Sequence, residues 1–352
     1  MRIIEEDFPI TISPNLLPAN PTKVLFFDIE TTGFSGQSSL LYLIGCIFFQ
    51  NGIWRIRQWF LDTIQSEKEM LLSFFDFITP YSWVIHFNGD TFDIPFIEKR
   101  FLHYHLENNF SSFQSLDLYK KIKPCKKPLG LTGMKQKDLE EFLGIHRKDP
   151  FTGGELIEIY YQYLETQNKK LLGCLLLHNA DDLRGMLSIL PLYGLVLMLH
   201  GNFQIQTMTQ QQNSLQISLQ SNMPLPTSTK LFYNLCTLTI KDPFIIVSIP
   251  IYTETMKYFY PNPKDYYYLP KEDQAIHKSV ASYVDKAYRM PATLSNCYTK
   301  RASSYLPIPK KAFPSPIFQR DYKDKTYFIE LTKDFCHNKE LIKNYLLQIF
   351  SS

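Results

Sequence analysis

The sequence predicts an α/β fold class, with a three-layer domain of a mixed sheet flanked by helices over residues 22–200. This prediction depends on the order of the elements that the apolar runs predict. That order is strand, hairpin partner, strand, helix, strand, helix, strand and then helices. After residue 200 the runs become short and alternating, which predicts a smaller C-terminal α+β region over residues 201–352. Residues 1–21 form an N-terminal segment. The chain has 352 residues, enough for two domains of roughly 100 to 200 residues each.

The first three strands follow from apolar runs and one turn signal. Residues 24–29 are apolar and β-prone and lie between polar turn residues, as expected of a buried strand. Two further apolar runs, residues 40–49 and 53–61, are separated by a turn that contains Asn51 and Gly52. Because Asn-Gly is the strongest short hairpin signal, these two strands should be antiparallel.

Helical spacing begins at residue 66. Ser66 is a possible N-cap and Glu69 follows three residues later, which predicts a capping box for a helix over residues 66–78. The other elements of this domain are predicted as strands at 83–87 and 115–118 and as helices at 92–105, 137–143, 155–165 and 171–190.

The C-terminal region is predicted from weaker patterns. A β-rich stretch at residues 244–252 precedes a predicted helix over 272–289, and the chain closes with a helix over 339–350. Residues 291–316 are rich in Pro, Lys and Ser, which predicts a loop.

Composition excludes several classes of protein. A chain that is 45% hydrophobic and 20% charged is neither disordered nor fibrous. The 6 cysteines have no C-x-x-C spacing, so neither a zinc cluster nor a disulfide framework is indicated. The longest apolar run, residues 186–199, is shorter than the ~20 residues of a membrane-spanning helix. We therefore expect a cytoplasmic protein with no membrane partner.

Charge is unevenly distributed along the chain. Residues 1–200 have a net charge of −4 and residues 201–352 a net charge of +7, within a total of +3. An acidic half joined to a basic half suits an enzyme that concentrates cations in one place and holds a polyanion in another. Ordinary solvated surface charge is an equally good explanation.

Two carboxylates interrupt the first apolar strand near its C-terminal end. Asp28 and Glu30 are two residues apart, so they point to the same face of the strand. Placing two like charges side by side in a buried position is costly unless a cation lies between them. Oxygen ligands of this kind favour a hard divalent ion such as Mg²⁺ or Mn²⁺. An isolated D-x-E pair is more often a strand end that faces water, but the extended string D-I-E-T-T-G is more specific.

Two later segments add further acids. Residues 86–96 contain a strand end, a Gly turn and a helix start, which places Asp93 in the first turn of a helix, where the helix dipole favours a carboxylate. Asp90 is a candidate cap for that helix. Farther on, His178 and Asp182 are four residues apart on a helix and therefore share one face. Taken alone, the first segment is more often an ordinary capped helix, and the second is more often a surface pair on a helix.

Taken together, the three segments resemble a known family. The order D-x-E on the first strand, N-x-x-x-F-D after the fourth and H-x-x-x-D on a late helix resembles the exonuclease motifs of the DEDD family of ribonuclease-H-like 3′–5′ exonucleases, and the local strings resemble its YprB-like branch. The resemblance covers residues 22–195 and implies a ribonuclease-H-like fold there. The four acidic positions of the family are filled by Asp28, Glu30, Asp93 and Asp182.

The resemblance implies hydrolysis of a phosphodiester with two divalent metal ions, Mg²⁺ or Mn²⁺. It assigns Asp28, Glu30 and Asp182 to the ion that holds the attacking water. It assigns Asp28, with Asp93 as a ligand or in the outer shell, to the ion that steadies the leaving 3′ oxygen. His178 would take the proton from the water, a role suited to an imidazole.

One departure from the family concerns His178. The histidine branch usually has four residues between the histidine and the last aspartate, whereas the tyrosine branch has three. His178 has the tyrosine-type spacing from Asp182, because the histidine-type spacing would require Leu183 in that place. The identity of the general base therefore stays open. Asp181 is the alternative metal ligand if the helix has a different register.

Six residues are predicted to contact nucleic acid. A clustered basic loop beside a metal site could hold phosphates, although a solvated loop is an equal alternative. The run Tyr266-Tyr267-Tyr268 in the basic half could stack unpaired bases, although core packing explains most aromatic runs. The six predicted contacts are Thr31, Asn88, Phe92, Lys120, Lys121 and Lys123.

The leading hypothesis is a metal-dependent 3′–5′ exonuclease that acts on single-stranded DNA or RNA, with a helicase as one candidate partner. The alternative is a nucleic-acid-binding or partner-binding protein that keeps the fold and has little hydrolytic activity. Endonuclease cleavage and RNA–DNA hybrid hydrolysis use the same chemistry and stay open. We expect divalent metal binding to distinguish the first two hypotheses.

Overall fold

The computed structural model describes residues 1–107, 110–147 and 150–351. The chain divides into two compact units. The first consists of Met1–Leu197 with Met223–Pro226, and the second of Met198–Asn222 with Thr227–Ser352.

The first unit is built on one six-stranded mixed sheet. Its strands in chain order are β1 (Arg2–Phe8), β2 (Val24–Thr31), β3 (Leu41–Gln50), β4 (Ile53–Phe60), β5 (Trp83–His86) and β6 (Gln114–Asp117). The order across the sheet is β1-β4-β3-β2-β5-β6. Strands β2, β5 and β6 are parallel to one another, and the other neighbours are antiparallel. The predicted mixed sheet and the antiparallel hairpin of β3 and β4 are both confirmed.

Helices cover both faces of this sheet. The α-helices up to residue 199 are α1 (Glu67–Ile78), α2 (Asp93–His103), α3 (Leu118–Ile122), α4 (Lys126–Leu129), α5 (Gln136–Phe142), α6 (Gly153–Thr166), α7 (Lys169–Ser188) and α8 (Leu190–Leu199). Phe74 of α1 packs on Phe27 and Trp59 on one face of the sheet. Asn179 of α7 contacts Asp28 and Gln58 on the opposite face, because neighbouring residues of a strand point to opposite sides. The result is the predicted three-layer arrangement.

The predicted capping box at Ser66 is wrong. Helix α1 begins at Glu67, and Ser66 has ψ 4°, whereas an N-cap residue is normally extended. The Ser66 hydroxyl lies 2.9 Å from Thr63 Oγ1 and caps nothing. Glu67 is fully buried and forms an ion pair with Arg100 at 2.5 Å.

Strand β1 was not predicted. It forms the edge of the sheet by pairing antiparallel with β4. Its charged residues hide the strand pattern, since Glu5 is paired with Arg55 and Arg57 of the neighbouring strand.

Helices α7 and α8 together form an apolar stretch, Lys169–Leu199, that is long enough and apolar enough to cross a membrane by length and composition. The run at residues 186–199 alone did not reveal this longer stretch. About two thirds of its most apolar window, 67%, is buried within the protein, as in the core helix of a globular domain.

The second unit is rich in β-structure. A five-stranded antiparallel sheet has the order β7-β8-β11-β10-β9, and a small closed barrel and a three-stranded sheet follow it. The first sheet contains β7 (Phe203–Gln211), β8 (Ser214–Ser221), β9 (Thr229–Phe232), β10 (Thr237–Lys241) and β11 (Phe244–Pro250). The barrel and the small sheet contain β12 (Tyr252–Phe259), β13 (Tyr266–Leu269), β14 (Gln274–His277), β15 (Met290–Pro291), β16 (Tyr298–Ile308), β17 (Ile317–Gln319) and β18 (Tyr327–Glu330). The helices are α9 (Lys278–Ala281), α10 (Lys333–His337) and α11 (Lys339–Phe350).

Two predictions for this unit are wrong and two are confirmed, one of them the β-rich stretch at 244–252, which contains β11. The predicted helix over 272–289 contains β14, which pairs with β13, and only one turn of helix, α9. The predicted loop over 291–316 contains β16, whose Tyr305, Leu306 and Ile308 are buried. The terminal helix over 339–350 is confirmed.

Candidate active site

Two acids of the site lie on the central strand β2. Asp28 pairs in register with Gly45 of β3, and Glu30 pairs with Leu43. The two side chains share the face covered by α7, and a β-bulge follows Glu30. The Glu30 side chain is 12% exposed. A strand that is otherwise buried thus presents two carboxylates side by side.

Helix α7 places His178 and Asp182 opposite this strand. His178 Nε2 lies 3.3 Å from Asp182 Oδ2 and 3.7 Å from Glu30 Oε1. The predicted shared face of His178 and Asp182 is confirmed. Glu30, His178 and Asp182 each offer a ligand atom within 4.8 Å of the other two.

The fourth acid is the first residue of α2. Asp93 is buried, and its Oδ1 accepts a hydrogen bond of 3.3 Å from the Ile29 N–H, between the two acids of β2. The predicted helix cap at Asp90 is wrong, because Phe92 occupies the cap position and no side chain caps the helix there. Asp90 instead binds Lys120 Nζ at 2.7 Å.

The acids affect one another's ionisation. Burial raises the pKa of Asp28 well above its ordinary value, and the charges of Asp182, Asp93 and Glu30 raise this pKa further. Burial also raises the pKa of Asp93 to about 7, although the backbone N–H groups of Asp93 and Ile29 oppose that shift. The four carboxylates therefore belong to one electrostatic centre.

This centre fits a hard divalent cation. Carboxylates that repel each other in a buried position are stabilised when a cation lies between them. The four acids offer only carboxylate oxygens, which suit Mg²⁺ or Mn²⁺. Asp28, Glu30, Asp93 and Asp182 are the residues that could hold the ions.

Three residues that support Asp28 were missed from the sequence. Asn179 Nδ2 donates to Asp28 Oδ2 at 2.9 Å, and Gln58 Nε2 donates to Asn179 Oδ1 at 2.9 Å. A Cβ atom on Gly45 would lie only 1.9 Å from Asn179 Oδ1, so glycine is needed for α7 to approach the sheet. Asn179 directly follows His178, which is the one local signal that could have identified it.

Asp182 also has a partner that was missed. Arg147 forms an ion pair with Asp182 Oδ1 and binds Glu140 through two nitrogens, at 2.5 and 2.7 Å. Gln136 Nε2 donates to the Asp182 carbonyl oxygen at 2.8 Å. Arg147 thus fixes one carboxylate oxygen of Asp182, and the other faces His178.

Asp181 occupies a different position from Asp182. Its Oδ1 lies 3.3 Å from Arg184 NH1, and its side chain lines a cavity together with Glu6 and Arg147. The carboxylate that acts on Asp28 is that of Asp182. The helix register therefore places Asp182 in the acidic centre.

The predicted nucleic-acid contacts differ in their surroundings. The Thr31 hydroxyl donates to the Gly33 carbonyl at 2.8 Å. Phe92 packs edge-on against Phe34, which is 95% exposed, with ring centroids 6.3 Å apart. Lys120 is bound to Asp90, whereas Lys121 and Lys123 are exposed.

A second ionisable cluster consists of His86, Asp90 and Asp117. Gly89 N donates to His86 Nδ1 at 3.0 Å, so the proton of the neutral ring is on Nε2, 2.8 Å from Ser115 Oγ. Ser115 Oγ donates to Asp90 Oδ1 at 2.5 Å. Burial lowers the pKa of His86. Both ring nitrogens are engaged within the protein, so this cluster is a structural network.

Comparison with known proteins supports the fold. Residues 25–193 match the family model of the RNase_H superfamily. A stretch of 42 residues is 48% identical to part of a DNA polymerase 1 from Sulfurisphaera ohwakuensis, covering 12% of this chain and 5% of the polymerase.

Two solved structures are also similar. The family B DNA polymerase of the archaeon Pyrobaculum calidifontis has a TM-score of 0.41 and 11% identity over 74% of this chain and 40% of its own. The zinc-bound E. coli ExoI–ssDNA complex has a TM-score of 0.29 and 14% identity over 46% of this chain and 45% of its own. This chain thus covers less than half of either polymerase and less than two thirds of ExoI. The three-layer architecture and the family match over residues 25–193 both support a ribonuclease-H-like fold for this part of the chain.

Proposed function

We propose that this protein is a metal-dependent 3′–5′ exonuclease of the DEDD type that hydrolyses single-stranded DNA or RNA. The observation that carries the proposal is the convergence of Asp28, Glu30, Asp93 and Asp182 with His178 at one place. These acids come from β2, α2 and α7, which are far apart in sequence. A fold gains no stability from burying four like charges together, so their convergence supports a metal-dependent reaction.

Two divalent ions, Mg²⁺ or Mn²⁺, are the cofactors in this proposal. Asp28, Glu30 and Asp182 would hold one ion, and Asp28 with Asp93 would hold the other. When bound, the ions offset the charge that develops on the phosphate and on the leaving oxygen. Asn179 holds the Asp28 carboxylate in place, and Arg147 does the same for Asp182.

His178 is the proposed general base. Its Nε2 would accept the proton of the attacking water, which requires the nitrogen to face the scissile phosphate. Glu30 and Asp182 lie 3.7 and 3.3 Å from this nitrogen, which places it among the proposed metal ligands. The short spacing to Asp182 is compatible with this role because one helical turn separates the two residues.

The substrate contacts proposed for the strand are aromatic and basic. Exposed Phe34 packs against half-buried Phe92, which directly precedes Asp93, and an exposed ring such as that of Phe34 can stack on an unpaired base. Exposed Lys121 and Lys123 are available to phosphates. A helicase partner and a cytoplasmic location remain predictions from the sequence.

The experiment follows 5′-labelled single-stranded DNA and RNA of equal length with Mg²⁺ or Mn²⁺. We expect a ladder of products that shortens from the 3′ end and disappears with EDTA or with Asp28→Asn. If both strands bind and stay intact with either metal, the chain is a binding protein. Internal fragments without a ladder would instead indicate an endonuclease.

A further inference from the structure

A groove of about 460 Å³ adjoins the acidic centre. One wall is connected to the centre directly, because Gln136 Nε2 donates to the Asp182 carbonyl oxygen at 2.8 Å. The other wall comes from the connection between β5 and α2, which leads to Asp93. The groove is lined by Phe87, Asn88, Tyr119, Met134, Lys135 and Gln136.

The groove offers a planar apolar surface. Phe87 and Tyr119 pack edge to face with ring centroids 5.7 Å apart. Both side chains are only half-buried, whereas core aromatic residues such as Tyr42 and Tyr160 are fully buried. Half-exposed aromatic rings beside an open groove suit a nucleobase, because every base has a flat face that stacks regardless of sequence.

The charge of the groove suits a polyanion. All six lining residues are neutral or basic, in contrast to the acidic centre next to them. Lys135 is exposed at the groove, and Lys123 Nζ lies 5.4 Å from the centre of the Tyr119 ring. These two ammonium groups could bind the phosphates on either side of a base that rests on Tyr119.

One buried carboxylate connects the two walls. Asp117 Oδ1 accepts the Asn88 N–H at 2.9 Å and also caps α3, which carries Tyr119, by accepting the Lys120 N–H at 3.3 Å. Asn88 has φ 65°, a left-handed conformation that few residues other than glycine and asparagine adopt. The contact with Asp117 therefore holds Asn88 at the edge of the groove and fixes its distance from Tyr119.

We propose that this groove binds the base of a nucleotide upstream of the 3′-terminal one, with Lys123 and Lys135 on the adjoining phosphates. The inference rests on the proposed nuclease function and extends it, since it makes the enzyme selective for a strand longer than one nucleotide. A substrate with a single nucleotide reaches the acidic centre without entering the groove.

The test compares two substrates in the full chain: a 5′-labelled oligothymidylate and thymidine 5′-p-nitrophenyl phosphate, which has one nucleotide. Tyr119→Leu and Lys135→Gln should each raise KM for the oligonucleotide by about 5- to 50-fold, the range typical of a lost stacking or phosphate contact. The kcat/KM for the nitrophenyl ester should stay unchanged. Matched controls in the same unit are Tyr161→Leu and Lys68→Gln, both exposed, which should alter neither substrate.

Two results would overturn the groove proposal. In one, both substrates lose activity in parallel, which means that Tyr119 acts on the acidic centre. In the other, the oligonucleotide KM does not change. If the wild type hydrolyses neither substrate, the nuclease proposal fails. Binding of a fluorescent oligothymidylate then tests the groove proposal separately. Weaker binding by the Tyr119→Leu variant than by the wild type would support the groove proposal. Equal binding by the two proteins, or no binding by the wild type, would refute it.

Discussion

Asn179 connects Asp28 to the opposite layer of the domain. Its Nδ2 donates to Asp28, and its Oδ1 accepts from Gln58 on a neighbouring strand. Gly45 lies between Asp28 and Gln58 in the sheet and leaves the space that the Asn179 side chain occupies. The position of the first acid therefore depends on a residue with no side chain.

Gly45→Ala tests this dependence. The new Cβ would lie 1.9 Å from Asn179 Oδ1 and 2.8 Å from Leu183 Cδ1, so α7 must move away from β3. Overpacking of this kind costs about 1 to 3 kcal/mol of unfolding free energy. We expect that loss in urea denaturation together with a large drop in hydrolysis. Gly173→Ala on α7 is the control, since open space surrounds it. A Gly45→Ala variant as stable and active as the wild type would contradict this account.

The raised pKa of Asp93 predicts how pH affects the metal-free protein. This pKa is raised from 3.8 to about 7 by burial, so the folded state binds the proton more tightly than the unfolded chain. Stability should therefore fall as pH rises from about 4 to 7. A divalent cation competes with that proton, so Mn²⁺ should raise the melting temperature more at pH 8 than at pH 5.5.

Thermal melts across this pH range, with and without Mn²⁺, provide the measurement. Asp93→Asn removes the titrating group, so the variant should show a flatter dependence on pH than the wild type. A Mn²⁺ effect that is larger at pH 5.5 would argue against a carboxylate site.

The metal ligands could be predicted from the sequence, but their supports could not. Asp28 and Glu30 stand out because they interrupt an apolar strand, and His178 and Asp182 share a helical face by spacing alone. Gly45 and Gln58 act across the sheet through contacts that no local pattern shows. Arg147 similarly reaches Asp182 from another segment of the chain.

At the scale of elements, local sequence patterns predicted the structure correctly where a tight turn or one face of a helix determines it. Asn51 and Gly52 have φ values of 52° and 84°, the left-handed pair that a tight hairpin between β3 and β4 requires. The residues over 272–289 instead gain more from pairing β14 with β13 than from a long helix. Such pairing depends on distant residues, so helical spacing alone was misleading there.

The turn between β5 and α2 depends on Asp117. Its Oδ1 accepts the N–H groups of Asn88 and Lys120, which joins the turn to α3. Asp117→Ala leaves both donors without this acceptor and should cost about 1 to 3 kcal/mol of unfolding free energy. Asp117→Asn keeps a carbonyl oxygen in place and should be close to the wild type. Urea denaturation of the two variants compares them, and equal losses would contradict the proposed role of the oxygen.

At the scale of the whole molecule, the two halves of the chain differ in net charge. Residues 201–352 have a net charge of +7. Several of their cations lie over tyrosine rings, for example Arg289 at 4.9 Å from Tyr267, and Tyr266 stacks on Tyr260 at 4.3 Å. The tyrosine run predicted as a candidate for base stacking is thus engaged in packing within its own unit.

The central claim is that one centre made of four separate acids performs hydrolysis. The most direct test measures kcat on single-stranded DNA for Asp28→Asn, Asp93→Asn and Asp182→Asn beside Asp181→Asn, with circular dichroism to check folding. Loss of a metal ligand or of its charge should lower kcat by at least about 1,000-fold in the first three variants. Asp181→Asn should stay within about threefold, because Asp181 pairs with Arg184 outside the centre. Equal losses for Asp181→Asn and Asp182→Asn, or an active Asp28→Asn, would contradict the account.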